Sequence, residues 1–296
     1  MTGSRRSLLL GAVALTGLSG LAACGPKAED KKADAPSAPA GPPEGSLEWA
    51  IQGPWRAADR PRDPWRHPME TLRFFGLQPG MTVVDFWPGS GWYTEIIAPY
   101  VAKGGGTYYA AGFNSGPGAD PAQAALMANY EQRFGDEDLY GEVKFSAFGP
   151  MTGPVAPAGT ANLVLFMRNL HAWMAVGIAE KAFSDAYAAL RPGGVLGVEQ
   201  HRLAPDEDQD PAAANGYVQE AFVKQLAAEA GFIFVASSEI NANETDTRDH
   251  PFGVETLAPQ RLTAPRGSPP DPTFDRTEYD EIGESDRMTL KFRKPE

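Results

Sequence analysis

From residue 81 onward the chain alternates short apolar runs with amphipathic stretches, and that alternation admits few folds. The runs at 81–86, 106–111, 143–147, 162–167 and 195–198 suit strands buried on both faces. Helical patterns lie between and after them, at 91–102, at 121–134, at 174–190 with its Arg-Pro-Gly-Gly stop, and at 215–230, ended by Gly231. Strand and helix in turn predict an α/β fold around a doubly wound, mostly parallel sheet. An N-terminal extension mixing prolines, arginines and three tryptophans precedes it and turns helical at 69–75. A polar, Pro-rich segment at 241–285 separates the strand-like 231–240 from a last strand at 287–292. A loop that long is functional or disordered. It is either a lid carrying Arg248 and His250 toward a substrate or a surface excursion packed by Phe252 and Leu257.

The first run opens the stretch Val-Val-Asp-Phe-Trp-Pro-Gly-Ser-Gly-Trp-Tyr-Thr-Glu-Ile, residues 83–96. An apolar strand ending in an acid, a glycine-spaced turn and an amphipathic segment outline a strand that delivers a ligand to a helix N-terminus. Gly89 and Gly91 supply the backbone freedom such a turn uses, while Trp87 stands where these loops carry their first glycine.

The chain's beginning has a different character. Arg5 and Arg6 precede a small-residue apolar run that ends at Cys24, the only cysteine. The run is short for a membrane span, and its flanks are those of an export signal. Ser-Arg-Arg-Ser-Leu-Leu resembles the twin-arginine signal, and Leu-Ala-Ala-Cys resembles a lipoprotein box whose cysteine is acylated. Residues 1–24 are therefore expected to be an export signal. Residues 25–46, without a large apolar side chain, are expected to be a disordered tether, and 47–296 the folded domain. The expected location is the periplasmic side of a bacterial envelope, with membrane contact through lipid on Cys24. With 38 acidic against 26 basic residues and no basic stripe, nucleic acid is excluded as an expected partner.

With the motif at 81–92, Ala-Leu-Arg-Pro-Gly-Gly-Val-Leu-Gly-Val-Glu-Gln-His-Arg at 189–202 and Glu-Ala-Gly-Phe-Ile-Phe-Val at 229–235, the chain resembles the class I S-adenosylmethionine-dependent methyltransferases. More narrowly it is similar to a bacterial group of exported predicted methyltransferases whose first motif reads Trp-Pro-Gly and continues Trp-Tyr-Thr-Glu. The resemblance implies a seven-stranded Rossmann-like methyltransferase fold, S-adenosylmethionine as cofactor, and a small or medium-sized methyl acceptor. It places the methionine part of the cofactor at Asp85, Gly89 and Gly91. Trp87 either faces the sulfonium with its ring or fills core space. The acid that would grip the ribose is missing, and Asn114 stands near its place. Phe148 falls where adenine would be contacted, and Arg168 and Asn169 complete the expected cofactor-binding set.

The fourth run ends Met-Arg-Asn-Leu-His and the fifth Val-Glu-Gln-His, which brings His171, Glu199 and His201 to the rim where open α/β sheets hold their sites. These three are the expected catalytic groups, with a histidine as the proton acceptor. A metal set of His171, Glu199 and His201 with Asp246 or His250 has suitable ligand types but no short ligand spacing, and no metal is expected. No Gly-x-Ser-x-Gly elbow is present to support a hydrolase. The alternative to an enzyme is an envelope module that binds a ligand on the same fold without methyl transfer.

Overall fold

The computed structural model describes residues 41–296. The expected export signal, Cys24 and residues 25–40 of the expected tether lie outside the described residues. Seven strands form one sheet: β1 (Thr82–Phe86), β2 (Thr107–Gly112), β3 (Val143–Ala147), β4 (Ala161–Met167), β5 (Leu190–His201), β6 (Ile233–Ser238) and β8 (Arg287–Arg293), while a short β7 (Pro251–Val254) lies outside it. Their order is β3-β2-β1-β4-β5-β8-β6. All pairings are parallel except those of β8, which runs antiparallel between β5 and β6. Because β1 pairs with both β2 and β4, the winding reverses there and opens a crevice at the carboxyl ends of those strands.

Side-chain alternation divides the core into two layers. Val84, Phe86, Val164, Phe166, Leu196 and Val198 face α8 (Ala179–Ala189) and α9 (Glu220–Glu229). Val83, Leu163, Leu165 and Tyr108 face α1 (Leu47–Gln52), α3 (Pro68–Phe75), α4 (Thr94–Lys103) and α5 (Pro121–Arg133). The remaining helices are short: α2 (Asp63–Arg66), α6 (Glu137–Tyr140), α7 (Leu170–Ala175) and α10 (Thr277–Ile282). Among the described residues no helix is long and apolar enough to cross a membrane.

Three departures from the sequence reading matter for the site. The helix expected at 174–190 is two, because Gly177 takes φ 69° and ends α7 before α8 begins. The strand expected at 195–198 runs from Leu190 to His201, and Glu199 and His201 lie at its carboxyl end as their alternation predicted. The helix expected at 215–230 begins at Glu220, since Val218 first bridges Arg202 beside β5.

The N-terminal arm is pinned to the start of α4. Trp55 Nε1 donates to the Glu95 carbonyl at 2.9 Å and Trp92 Nε1 to the Asp59 carbonyl at 3.0 Å. Buried Arg56 pairs with Asp63 at 2.8 Å. The segment 241–285 is tied down by Asn241, whose amide donates to Thr71 and Thr289, and by Asn243, which donates to the Ile282 and Glu284 carbonyls.

Candidate functional site

At the carboxyl ends of the strands lie two adjoining cavities, one of about 600 Å³ and one of about 910 Å³, with Trp87 and Phe113 on the wall of each. Both volumes fall in the range of small-molecule sites. The smaller is apolar and is bounded by Phe113 and Asn114 after β2, Phe148 after β3, and Ile178 after α7. The larger is the more polar of the two and is bounded by Asp85 and Gly89 after β1, Arg168 and His171 after β4, His201 at the end of β5, the arm, and part of 241–285.

Trp87 adopts φ 49°, a left-handed backbone that costs a residue with a Cβ roughly 1–2 kcal/mol. Its surroundings hold it there. The Asn169 amide donates to the carbonyls of Phe86 at 3.0 Å and Trp87 at 2.8 Å, and Trp87 N–H donates to the Ala111 carbonyl at 2.8 Å. The indole N–H reaches the Phe148 carbonyl at 3.0 Å, and the ring packs on Phe113, Phe148 and Trp173. Of the two expectations for Trp87, the packed ring supports filling space, and its left-handed backbone is the conformation a glycine would supply there. Asn169 acts on this loop as a strut.

The two glycines of the turn have different tasks. Gly89 has φ 63° and open space where a Cβ would stand. Gly91 has φ 93°, and a Cβ there would meet the buried Phe134 ring at 2.2 Å. Gly91 therefore serves the packing of α5 against the loop, while Gly89 presents its backbone to the larger cavity.

Asp85 is buried and accepts from the Tyr108 hydroxyl at 2.9 Å, while its Oδ1 has no protein partner. Burial raises its pKa to about 7, against the smaller opposing effects of Tyr108 and Arg168. Tyr108 in turn meets Thr94, which also meets Tyr130 at 2.6 Å.

The expected catalytic trio separates into three roles. Glu199 is fully buried behind the cleft, accepting from Tyr93 at 2.9 Å and Arg168 at 2.8 Å, with Arg287 at 3.2 Å. It is not available as a base, because both its oxygens are spent on the wall. His171 lines the cleft, and its Nδ1 lies 3.2 Å from Gln200 Nε2. Gln200 Oε1 accepts from Leu170 N–H and its Nε2 donates to the Gly216 carbonyl, which fixes the amide's orientation. Nδ1 therefore accepts, the ring proton sits on Nε2, and a neutral His171 offers a donor rather than a proton acceptor. His201 meets Ser285 Oγ through Nδ1 at 2.6 Å, a contact in which either atom can donate; where the ring donates, its Nε2 carries the lone pair a base needs. Burial lowers the pKa of both rings, that of His201 well below the usual value with further help from His171, Arg287 and Arg168. Both are neutral near pH 7.

Arg248 and His250 do not reach toward the cleft. Arg248 binds Asp286 at 2.6 Å and the Arg202 carbonyl, and His250 binds buried Asp246 at 2.7 Å. The segment's contribution to the cavity comes instead from Phe252, Val254, Glu255 and Arg266. Among the described residues no group of three or more His, Cys, Asp or Glu side chains is arranged to hold a metal.

Arg62, Arg66, Glu284 and Arg287, which share a buried ion-pair network beside the cleft, were not among the residues expected from sequence. The signal for half of them was present: an extension carrying arginines between tryptophans in an otherwise acidic chain.

For an S-adenosylmethionine-type ligand the cavities fit in three respects: a partnerless buried oxygen on Asp85, an open backbone at Gly89, and an apolar chamber beside Phe148. They depart at the ribose position, where exposed Asn114 spends its Oδ1 on Gly116 N–H.

No protein-family model matches the sequence, and no curated protein is similar to it. Solved structures are. A Galdieria sulphuraria protein assigned as a sarcosine dimethylglycine methyltransferase shares 12% identity over 82% of this chain and 91% of its own, with a TM-score of 0.50. A SAM-dependent methyltransferase from Aquifex aeolicus shares 19% identity over 62% of this chain and 88% of its own, with a TM-score of 0.49. What the strand order and the Galdieria likeness establish is the fold, the Rossmann-like, seven-stranded fold of the class I methyltransferases.

Proposed function

We propose that this protein transfers a methyl group from S-adenosylmethionine to a small or medium-sized acceptor, with acceptor chemistry in the larger cavity. The observation that carries this reading is the pair of adjoining cavities at the winding reversal, one apolar and one polar, meeting at Trp87 beside Gly89 and Asp85. The fold is shared with the Galdieria methyltransferase, and fold alone does not fix chemistry. When bound, the cofactor supplies an electrophilic methyl on a sulfonium. Asp85, Gly89 and the apolar chamber around Phe148 would hold it. His201, in the tautomer that donates to Ser285, takes a proton from the acceptor at Nε2, and His171 orients the acceptor by donating from Nε2. The Trp87 and Phe113 rings, 4.6 Å apart, stand on the wall that both cavities share.

The proposal includes the envelope: export through the Arg5-Arg6 signal and anchoring by acylated Cys24. Its support is the leader sequence. Cys24→Ala is expected to leave the protein unprocessed or soluble; a variant that partitions with membranes as the wild type does would remove the anchor.

Calorimetric titration with S-adenosylmethionine and S-adenosylhomocysteine tests donor binding, and a labelled methyl donor with periplasmic extract tests turnover. His201→Ala should abolish labelling with donor affinity retained, and His171→Ala should weaken acceptor KM more than kcat. The departures at Trp87 and Asn114 favour a second reading, a ligand-binding module without catalysis. No labelling together with no donor binding by the wild type would establish that reading over the first.

A further inference from the structure

The chain is acidic overall, yet the polar cleft is walled by arginine. Behind that wall cations and carboxylates alternate. Arg168 donates to Glu199 at 2.8 Å, Arg287 approaches Glu199 at 3.2 Å and Glu284 at 2.5 Å, and Glu284 also takes Arg66 at 2.8 Å and Arg62 at 3.2 Å. The series starts and ends on arginine, so the two carboxylates are spent inside it and its ends keep an excess of positive charge. Other carboxylates nearby do not cancel that excess. Asp59 lies 4.0 Å from Arg62 but 2.9 Å from Arg133, Glu255 pairs with Arg266, and Asp85 is lifted toward neutrality by burial.

The ends of the series are also the parts that face the cavity. Arg62, Arg66 and Arg168 line it, whereas Glu199, Glu284 and Arg287 do not. Arg66 uses only its Nε on Glu284, and Arg168 only one Nη on Glu199, among side-chain acceptors of the described residues. Among the described residues their remaining guanidinium N–H groups make no further hydrogen bond, and both side chains line the cavity, Arg168 15% and Arg66 3% exposed. The Arg66 guanidinium lies 4.9 Å over Trp92 and that of Arg168 5.7 Å over Tyr93, and those two rings touch at 4.6 Å. A common aromatic shelf therefore holds both forks in place, and planar forks with spare N–H groups suit a carboxylate or phosphate.

We propose that the polar cleft binds an anionic group, carboxylate or phosphate, between Arg66 with Arg62 on the arm and Arg168 after β4, and that the methyl acceptor carries that group. The anion site stands on the arginine series, and only the word acceptor rests on the methyl-transfer reading.

The test titrates the full-length chain with inorganic phosphate and, separately, with glutarate at constant ionic strength, following tryptophan fluorescence, because Trp92 lies under Arg66. The titrations are repeated with saturating S-adenosylhomocysteine. Saturable binding of at least one anion is expected, weakened about fivefold in Arg62→Gln and about tenfold in Arg66→Lys, which keeps the charge but loses the fork. Melts accompany both variants. Arg62, with a side chain 26% exposed, is the change the fold absorbs most easily, and it decides the test if Arg66→Lys does not fold. Tighter binding of phosphate or of glutarate identifies the acceptor's group. No saturable response, or one unchanged in Arg62→Gln, overturns the site. Loss of anion binding under S-adenosylhomocysteine overturns the acceptor assignment, because the arginines would then serve the donor's own carboxylate. Anion binding that persists where S-adenosylhomocysteine does not bind supports the anion site and defeats the methyl-transfer reading alone.

Discussion

The wall of the cavities built from β1, β2 and β3 is held by rings, whereas the wall built from β4, β5, β8 and the arm is held by charges. On the first, Phe86, Trp87 and Phe148 pack tilted or edge to face on one another and on Trp173 of α7, and each contact is one of many. On the second, Arg168, Glu199, Arg287, Glu284 and Arg66 satisfy one another in series, and each member has few substitutes. The difference concerns failure. Packed rings share the loss of one member, while removing one charge from a buried series strands its neighbours.

The largest expected effect tests that contrast directly. Glu199→Ala leaves Arg168, Arg287 and Tyr93 without their common acceptor and should cost about 3–5 kcal/mol in urea unfolding. A cost below 1 kcal/mol would show that the charged wall is as forgiving as the packed one.

Next comes the seam between the walls, through pH. Asp85 is raised from 3.8 to about 7, so the folded state binds its proton more tightly than the unfolded chain does. Its contribution is fully present below pH 4 and is lost as pH rises through about 7, a span of about 4 kcal/mol. His171 and His201 are shifted the other way, and their contribution is present above the ordinary histidine pKa and lost as pH falls. Comparing Asp85→Asn with wild type isolates the first effect. The variant's stability relative to wild type should climb between pH 4 and pH 8, and a flat difference would remove the burial cost assigned to Asp85.

Gly91→Ala places a methyl against Phe134 in a left-handed backbone and should cost about 3 kcal/mol in the same assay. Gly89→Ala, in open space, should cost about 1 kcal/mol and instead weaken S-adenosylhomocysteine binding about tenfold. If the two glycines exchanged these effects, the division between packing and ligand approach would fall. The smallest effect belongs to the packed wall: Phe148→Leu should cost about 1 kcal/mol, because neighbouring rings refill part of the space.

The central strands were legible because burial on both faces writes itself as continuous apolar runs, and β1 and β4 each fall within one residue of the runs expected. The rim was legible as a place, since His171 and His201 both line the cleft, but not as a mechanism. Which nitrogen of His171 carries the proton depends on how Gln200 is held by Leu170 and Gly216, a fact of three separate segments. Glu199 looked like a base because position on a strand end does not reveal what lies behind it, and Arg287 approaches it from a strand 88 residues further on in the chain, by the difference of the two numbers. The helix expected at 174–190 failed on one residue, Gly177, whose left-handed backbone outweighs the pattern around it.

The pairing of Arg66 with Glu284 spans 218 residues of sequence, and β8 must insert between β5 and β6 before the sheet is complete. During synthesis at about 5–20 residues per second, the arm therefore waits roughly 10–40 s for its partners. Through that interval the arm's guanidiniums have no carboxylate from the final segment, and β6, once made, has no neighbour until β8 follows. A nascent chain halted before β8 can pair β1 to β5 but leaves β6 outside the sheet and Glu199 without Arg287, so the charged wall behind the cleft is the last part to close.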